Sequence, residues 1–184
     1  MKILIVGAGA VGLNLARQLS NEAHDISIVE QDVALVRKIS DKLDALIVTG
    51  NATSKSTLEA AGIQDVDMVL AVTDSDETNI IVCLIAHTYG VKTKIARVRN
   101  EEFAAIKSLQ KDDLFHVDYM VSPEQITVDS IIKIIETPGS IYVADFAVGD
   151  ILLRGFHVPA DAPIVGKKIR QIKEIESMDS FLIV

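Results

Sequence analysis

The residues best placed to hold a ligand lie at the start of the chain, where Gly7-Ala8-Gly9-Ala10-Val11-Gly12 directly follows Lys2-Ile3-Leu4-Ile5-Val6. Three glycines at the G-x-G-x-x-G spacing are a weak signal alone, because glycines cluster in many turns. Between an apolar strand and a helical pattern they acquire a physical purpose. Gly7 permits a tight turn, Gly9 lets the backbone approach a pyrophosphate, and Gly12 lets helix and strand pack closely. The amides and the positive dipole end of the helix that follows then attract phosphate.

Further polar residues stand where the next strands should end. Glu30 comes 18 residues after Gly12, where a carboxylate accepts hydrogen bonds from the adenosine ribose hydroxyls and repels a 2′-phosphate. That favours NAD(H) over NADP, although a lone strand-end carboxylate serves equally well as a solvated loop charge. Asn51, within Gly50-Asn51-Ala52-Thr53, can bond a ribose or the adenine edge, and an Asn after a Gly is equally suited to turn chemistry. Thr73 and Asp74 can contact a ligand or cap the helix that follows them. Arg97 sits among Ile95, Ala96 and Val98, where an unpaired guanidinium is costly to bury, so it should be paired or face a phosphate.

These residues need a scaffold that gathers strand ends, and the apolar pattern supplies one. Continuous β-branched runs recur at Lys2–Val6, Ile26–Val29, Ala45–Val48, Asp67–Val72 and Lys94–Val98, as expected for strands buried on both faces. Helical patterns separate them over Val11–Leu19, Asp32–Lys42, Ser54–Ala61 and Asp76–Tyr89. A helix over Glu101–Leu109, a short strand at Tyr119–Val121 and a longer helix over Pro123–Glu136 complete residues 1–138. The alternation predicts an α/β fold: a Rossmann-type, doubly wound, mainly parallel sheet with right-handed crossovers. After Thr137-Pro138-Gly139 the pattern becomes a hairpin, Ile141–Val148 and Ile151–Val158, joined at Gly149-Asp150. A short helix over Gly166–Ile172 and a strand-like run, Phe181–Val184, follow, so residues 139–184 read as a partial α+β domain.

Composition excludes several functions. The 184 residues are 49% hydrophobic and 24% charged, with a net charge of -8 and the basic residues spread out, which leaves no footprint for nucleic acid. No apolar run approaches the roughly 20 residues that cross a bilayer, and Met1 enters a structured motif at once, so a cytosolic chain is expected. The single cysteine, Cys83, reads as a small buried hydrophobe. Hydride transfer needs an acid or base over the nicotinamide. No Tyr-x-x-x-Lys pair is present, and His24 (loop), His87 (helix face), His116 (polar turn) and His157 (strand end) each read as structural or solvated. No metal-ligand spacing stands out.

The glycine motif, Gly50-Asn51-Ala52-Thr53, the stretch from Ala71 through Thr73-Asp74-Ser75-Asp76-Glu77-Thr78-Asn79, and Ile95-Ala96-Arg97-Val98-Arg99 together resemble one family over the whole chain. It is that of the nucleotide-binding regulatory subunits of Trk potassium-uptake systems, whose Rossmann-type unit is called KTN or RCK. The resemblance implies that Gly7, Ala8, Gly9, Ala10, Val11, Glu30, Asn51, Thr73, Asp74 and Arg97 line a site for NAD(H), with ATP or ADP competing. It further implies a regulatory, non-enzymatic subunit, homodimeric and built into a larger ring at the inner face of the cell membrane, beneath an integral membrane potassium channel or transporter. Residues 139–184 resemble the start of the family's carboxy-terminal ligand-binding domain. Two other readings stand beside it: a dehydrogenase fragment lacking its catalytic domain, and an interaction module with a vestigial crevice.

Overall fold

A computed structural model describes residues 1–103, 105, 114–136, 138–146 and 151–173. The chain divides into two compact units, Met1–Ile126 and Thr127–Val184.

The first unit is built on strands β1 (Lys2–Val6), β2 (Asp25–Glu30), β3 (Leu46–Thr49), β4 (Met68–Ala71), β5 (Thr93–Arg97) and β6 (Tyr119–Val121). They form one sheet in the order β3-β2-β1-β4-β5-β6, and every pairing is parallel. Helices α1 (Ala10–Asn21), α2 (Val33–Ile39), α3 (Lys55–Ala60) and α4 (Asp76–Thr88) make the crossovers. This is the doubly wound α/β fold that the alternation of patterns predicts.

Alternate residues of a strand point to opposite faces, and β1 divides its side chains accordingly. Ile3 and Ile5 join Ala16, Ile28 and Ile39 in a core against α1 and α2. Leu4 and Val6 join Leu58, Val69, Ile80 and Cys83 in a second core against α3 and α4. With helices on both faces, the central strands have no solvated side, hence their unbroken apolar runs. Cys83 is fully buried, as expected of a small hydrophobe.

Several boundaries differ from the sequence reading for local reasons. α2 starts after Asp32, whose carboxylate accepts from the amides of Ala34 and Leu35 as an N-cap, and it stops at Ile39, where the Ser40 hydroxyl donates to the Val36 carbonyl. Past Ser40 the ladder gives way to a tighter bond, the Lys42 amide donating to the Ile39 carbonyl at 2.9 Å. Residues 101–103 are helical; most of the remainder of the helix expected to Leu109 lies outside the described residues.

α5 (Pro123–Glu136) has no buried residue. Ile126, Ile131, Ile134 and Ile135 are all more than half exposed. In the second unit, β7 (Ser140–Phe146) and β8 (Ile151–Phe156) pair antiparallel as a hairpin whose junction, with Gly149 and Asp150, lies outside the described residues. α6 (Ile169–Lys173) begins later than expected because Gly166 takes φ +76°, which a right-handed helix does not hold. The expected run Phe181–Val184 also lies outside the described residues.

Candidate functional site

The strand order reverses between β1 and β4, which sit side by side while their successors run outward in opposite directions. A reversal of this kind leaves a crevice outside the carboxyl ends of the two strands. Here it is a cleft of about 480 Å³, and its walls include Gly7, Gly9, Glu30, Asn51, Thr73 and Asp74. Four separate crossovers therefore deliver six of the residues singled out from sequence to one place.

The other five lie outside that lining. Ala8 is fully buried. Ala10 and Val11 open α1. Gly12 lies beneath the turn, where an added Cβ would fall 1.9 Å from the Gly7 carbonyl oxygen. Arg97 closes β5 behind Asp74. Asp32, Leu35 and Thr78 also line the cleft and were not singled out from sequence. Asp32 follows Glu30 by two positions and Leu35 is in the first turn of α2, so adjacency to the strand end was the available signal.

The three glycines have distinct physical roles. Gly7 has φ +101°, a left-handed conformation natural only to glycine, and an added Cβ would lie 3.1 Å from the Thr73 backbone. Gly12 allows the close packing just described. Gly9, the N-cap of α1, has φ -65°, which any residue adopts, and an added Cβ would meet no protein atom within 4 Å. Nothing inside the chain demands a glycine there; the open space faces the cleft.

The start of α1 is electrostatically unfilled. It has no side-chain cap and no acidic residue in its first turn, so the amide dipoles of a 12-residue helix end at the cleft with no anion of the helix's own against them. At the other wall Glu30 is held by two backbone amides: Ala8 donates to Oε2 at 2.7 Å and Asp32 to Oε1 at 2.8 Å. Each carboxylate oxygen keeps lone-pair capacity for a hydroxyl.

Asn51 performs turn chemistry, its Oδ1 accepting from the Thr53 amide and hydroxyl, both at 2.9 Å. Its amide nitrogen has no partner among the described residues. Thr73 is not the cap of α4; Ser75 is, accepting from the Thr78 amide. Instead the Thr73 amide and hydroxyl donate to Asn79 Oδ1 at 2.9 and 2.7 Å. The Asn79 amide group donates in turn to the carbonyls of Thr73 and Arg97 at 3.1 and 2.8 Å. Asn79 is fully buried and ties the ends of β4 and β5 together. Sequence reasoning missed it, although Asn79 shares its helical stripe with Cys83 and Ala86, a placement that obliges a polar side chain to find partners.

Charge at the rim is organised by two arginines. Arg97 donates from Nη1 to Asp74 at 3.2 Å, and Arg99 donates to the Asp74 carbonyl. Asp76, nearly buried in the first turn of α4, accepts from the amides of Arg99 and Asn100, both at 2.8 Å. No histidine lines the cleft. His87 and His116 stack on each other with centroids 3.7 Å apart, and His24 lies near Glu22 and the amino terminus. Among the described residues no group of three or more His, Cys, Asp or Glu side chains could hold a metal ion, and no helix is long and apolar enough to cross a membrane.

Sheet order, glycine turn and crevice together define a doubly wound domain of the Rossmann class. The TrkA-N domain pattern matches residues 3–123, and the chain belongs to this family, that of the Trk system potassium uptake proteins. It is 39% identical over 170 residues to the Trk system potassium uptake protein TrkA of Halomonas elongata, a match that takes in 92% of this chain and 37% of that protein. The TrkA homolog of Methanothermobacter thermautotrophicus is 32% identical over 188 residues, covering all of this chain and 81% of the relative. The chain thus spans little more than a third of the Halomonas protein. Among solved structures, the GsuK channel bound to NAD superposes with TM-score 0.62 at 18% identity, covering 79% of this chain and 25% of the channel chain. GsuK bound to ADP superposes with TM-score 0.58 at 20% identity, covering 68% and 32%.

Proposed function

We propose that the cleft binds NAD(H), with ATP or ADP competing for the same site, and that the chain is the nucleotide-sensing part of a regulatory subunit, not an enzyme. The observation that carries this reading is the open space at Gly9 above the uncapped start of α1. A position that tolerates a side chain sterically, yet is glycine, fits the close approach of a diphosphate. In this reading Gly7, Gly9 and the amides of Ala8, Ala10, Val11 and Gly12 surround the diphosphate. Glu30 takes the adenosine ribose, the Asn51 amide reaches ribose or base, and Thr73, Asp74 and Arg97 border the distal end. GsuK bound to NAD and GsuK bound to ADP share this fold, which supports the choice of ligands.

The chain's relatives are potassium uptake proteins, which supports an integral membrane potassium channel or transporter as the partner and a place at the cytoplasmic face. The exposed isoleucines of α5 support pairing with a second copy of the chain, within a larger ring. Residues 1–138 are then the nucleotide domain, and 139–184 belong to a second, α+β domain. No bond is made or broken. The nucleotide biases the gate by its difference in affinity between two assembly shapes, and couplings of about 1 to 3 kcal/mol are typical. Calorimetric titration of the chain with NADH, NAD, ATP and ADP tests the site: micromolar binding supports it, and no binding by any of the four removes it.

A further inference from the structure

Arg97 stands between two carboxylates from different parts of the fold. Its Nη1 bonds Asp74 at 3.2 Å on the cleft side, and its Nη2 lies 3.8 Å from Glu124 in the first turn of α5. The Arg97 side chain is 17% exposed, against 95% for Asp74 and 57% for Glu124. A largely desolvated cation therefore faces two well-hydrated anions.

The two anions are held differently. Asp74 is fixed through its main chain, because Arg99 donates to its carbonyl and Asn79 clamps Thr73 beside it. The Glu124 carboxylate has no partner other than Arg97 among the described residues. Arg97 Nε is buried without an acceptor, so the guanidinium is incompletely satisfied where it stands, and its planar fork suits phosphate.

We infer that Glu124 is a positioning residue for Arg97: it holds the guanidinium back, behind Asp74 at the edge of the cleft, and a phosphate that draws the guanidinium toward the cleft competes with it. Ligand binding and release of the first turn of α5 are then a single event. The inference rests on the cleft's holding an adenine nucleotide as proposed above. An exposed carboxylate at 3.8 Å is a weak partner. The charge-assisted, bidentate hold of a phosphate on the same fork is stronger, so the exchange runs in the ligand's favour.

ATP carries one phosphate more than ADP, and the pair separates this role from a general charge effect. The 184-residue chain and its Glu124→Gln variant are titrated with each nucleotide, and amide hydrogen exchange of residues 124–136 is followed at one protein concentration. The variant should bind ATP roughly two- to fivefold tighter than the parent, with a smaller gain for ADP. In the parent, ATP should speed exchange in the first turns of α5; in the variant, exchange should already be fast and unresponsive. Unchanged ATP affinity, an equal shift for both nucleotides, or ATP binding that leaves α5 exchange untouched overturns the role of Glu124 and leaves the nucleotide site standing. Failure of both proteins to bind either nucleotide overturns the two readings together.

Discussion

The carboxylate of Glu30, at the end of β2, accepts a hydrogen bond from the backbone amide of Ala8 at 2.7 Å, inside the glycine turn that follows β1. The group proposed to take the ribose thus also shapes the turn proposed to take the diphosphate. Glu30→Ala removes a charged acceptor from both, and hydrogen bonds to charged groups are worth about 1.5–3 kcal/mol. NADH affinity by calorimetry should fall by a factor of about 10 to 100. Tm should fall as well, because the amides of Ala8 and Asp32 lose their acceptor.

Two glycines of one motif should fail in opposite ways. Gly9→Ala adds a methyl group that meets nothing within 4 Å, so Tm should hold to within about 2 °C while nucleotide binding is lost. Gly12→Ala drives a Cβ to 1.9 Å from the Gly7 carbonyl oxygen and should cost upward of about 3 kcal/mol in chemical denaturation. Retention of full affinity by Gly9→Ala would exclude a close diphosphate.

Asn79 satisfies four hydrogen bonds from a fully buried position. Asn79→Ala leaves the Thr73 amide and the Arg97 carbonyl without their partner, and the expected loss of stability is about 2–4 kcal/mol. Exchange of the Thr73 and Asp74 amides should rise more than that of β1, which separates local loosening from global destabilisation.

Lys94 is nearly buried, with Nζ 2.9 Å from Asp118. Deleting one member of such a pair strands the other, at about 3–5 kcal/mol for a fully buried pair. Asp118→Asn leaves a buried cation with the Val91 carbonyl but no counter-charge, whereas Lys94→Met leaves Asp118 with access to water at 38% exposure. Asp118→Asn should therefore lower the urea midpoint more than Lys94→Met does.

Much of this arrangement was legible in sequence because burial on both sheet faces forces unbroken apolar runs, and because Glu30 follows a strand whose end can be counted. The strand ends Gly50–Thr53 and Thr73–Asp74 were legible for the same reason. Networks were not. Asn79 reads as one polar residue in an apolar helix until β5 is set beside it, and Arg97 shows no sign of Glu124, which follows β6. The ends of α2 are set by the Asp32 cap and by the tighter Lys42–Ile39 main-chain bond that closes it, which hydrophobic period does not record.

α5 runs for 14 residues without burying one of them. Helices of that length are marginal in water on their own, since nucleation is costly and each added residue returns little. If a second copy of the chain covers its isoleucines, as proposed above, dilution alone should unwind this segment while the sheet stays intact. Under that proposal part of the far-ultraviolet ellipticity reports association as well as folding, and a Tm belongs to a stated protein concentration.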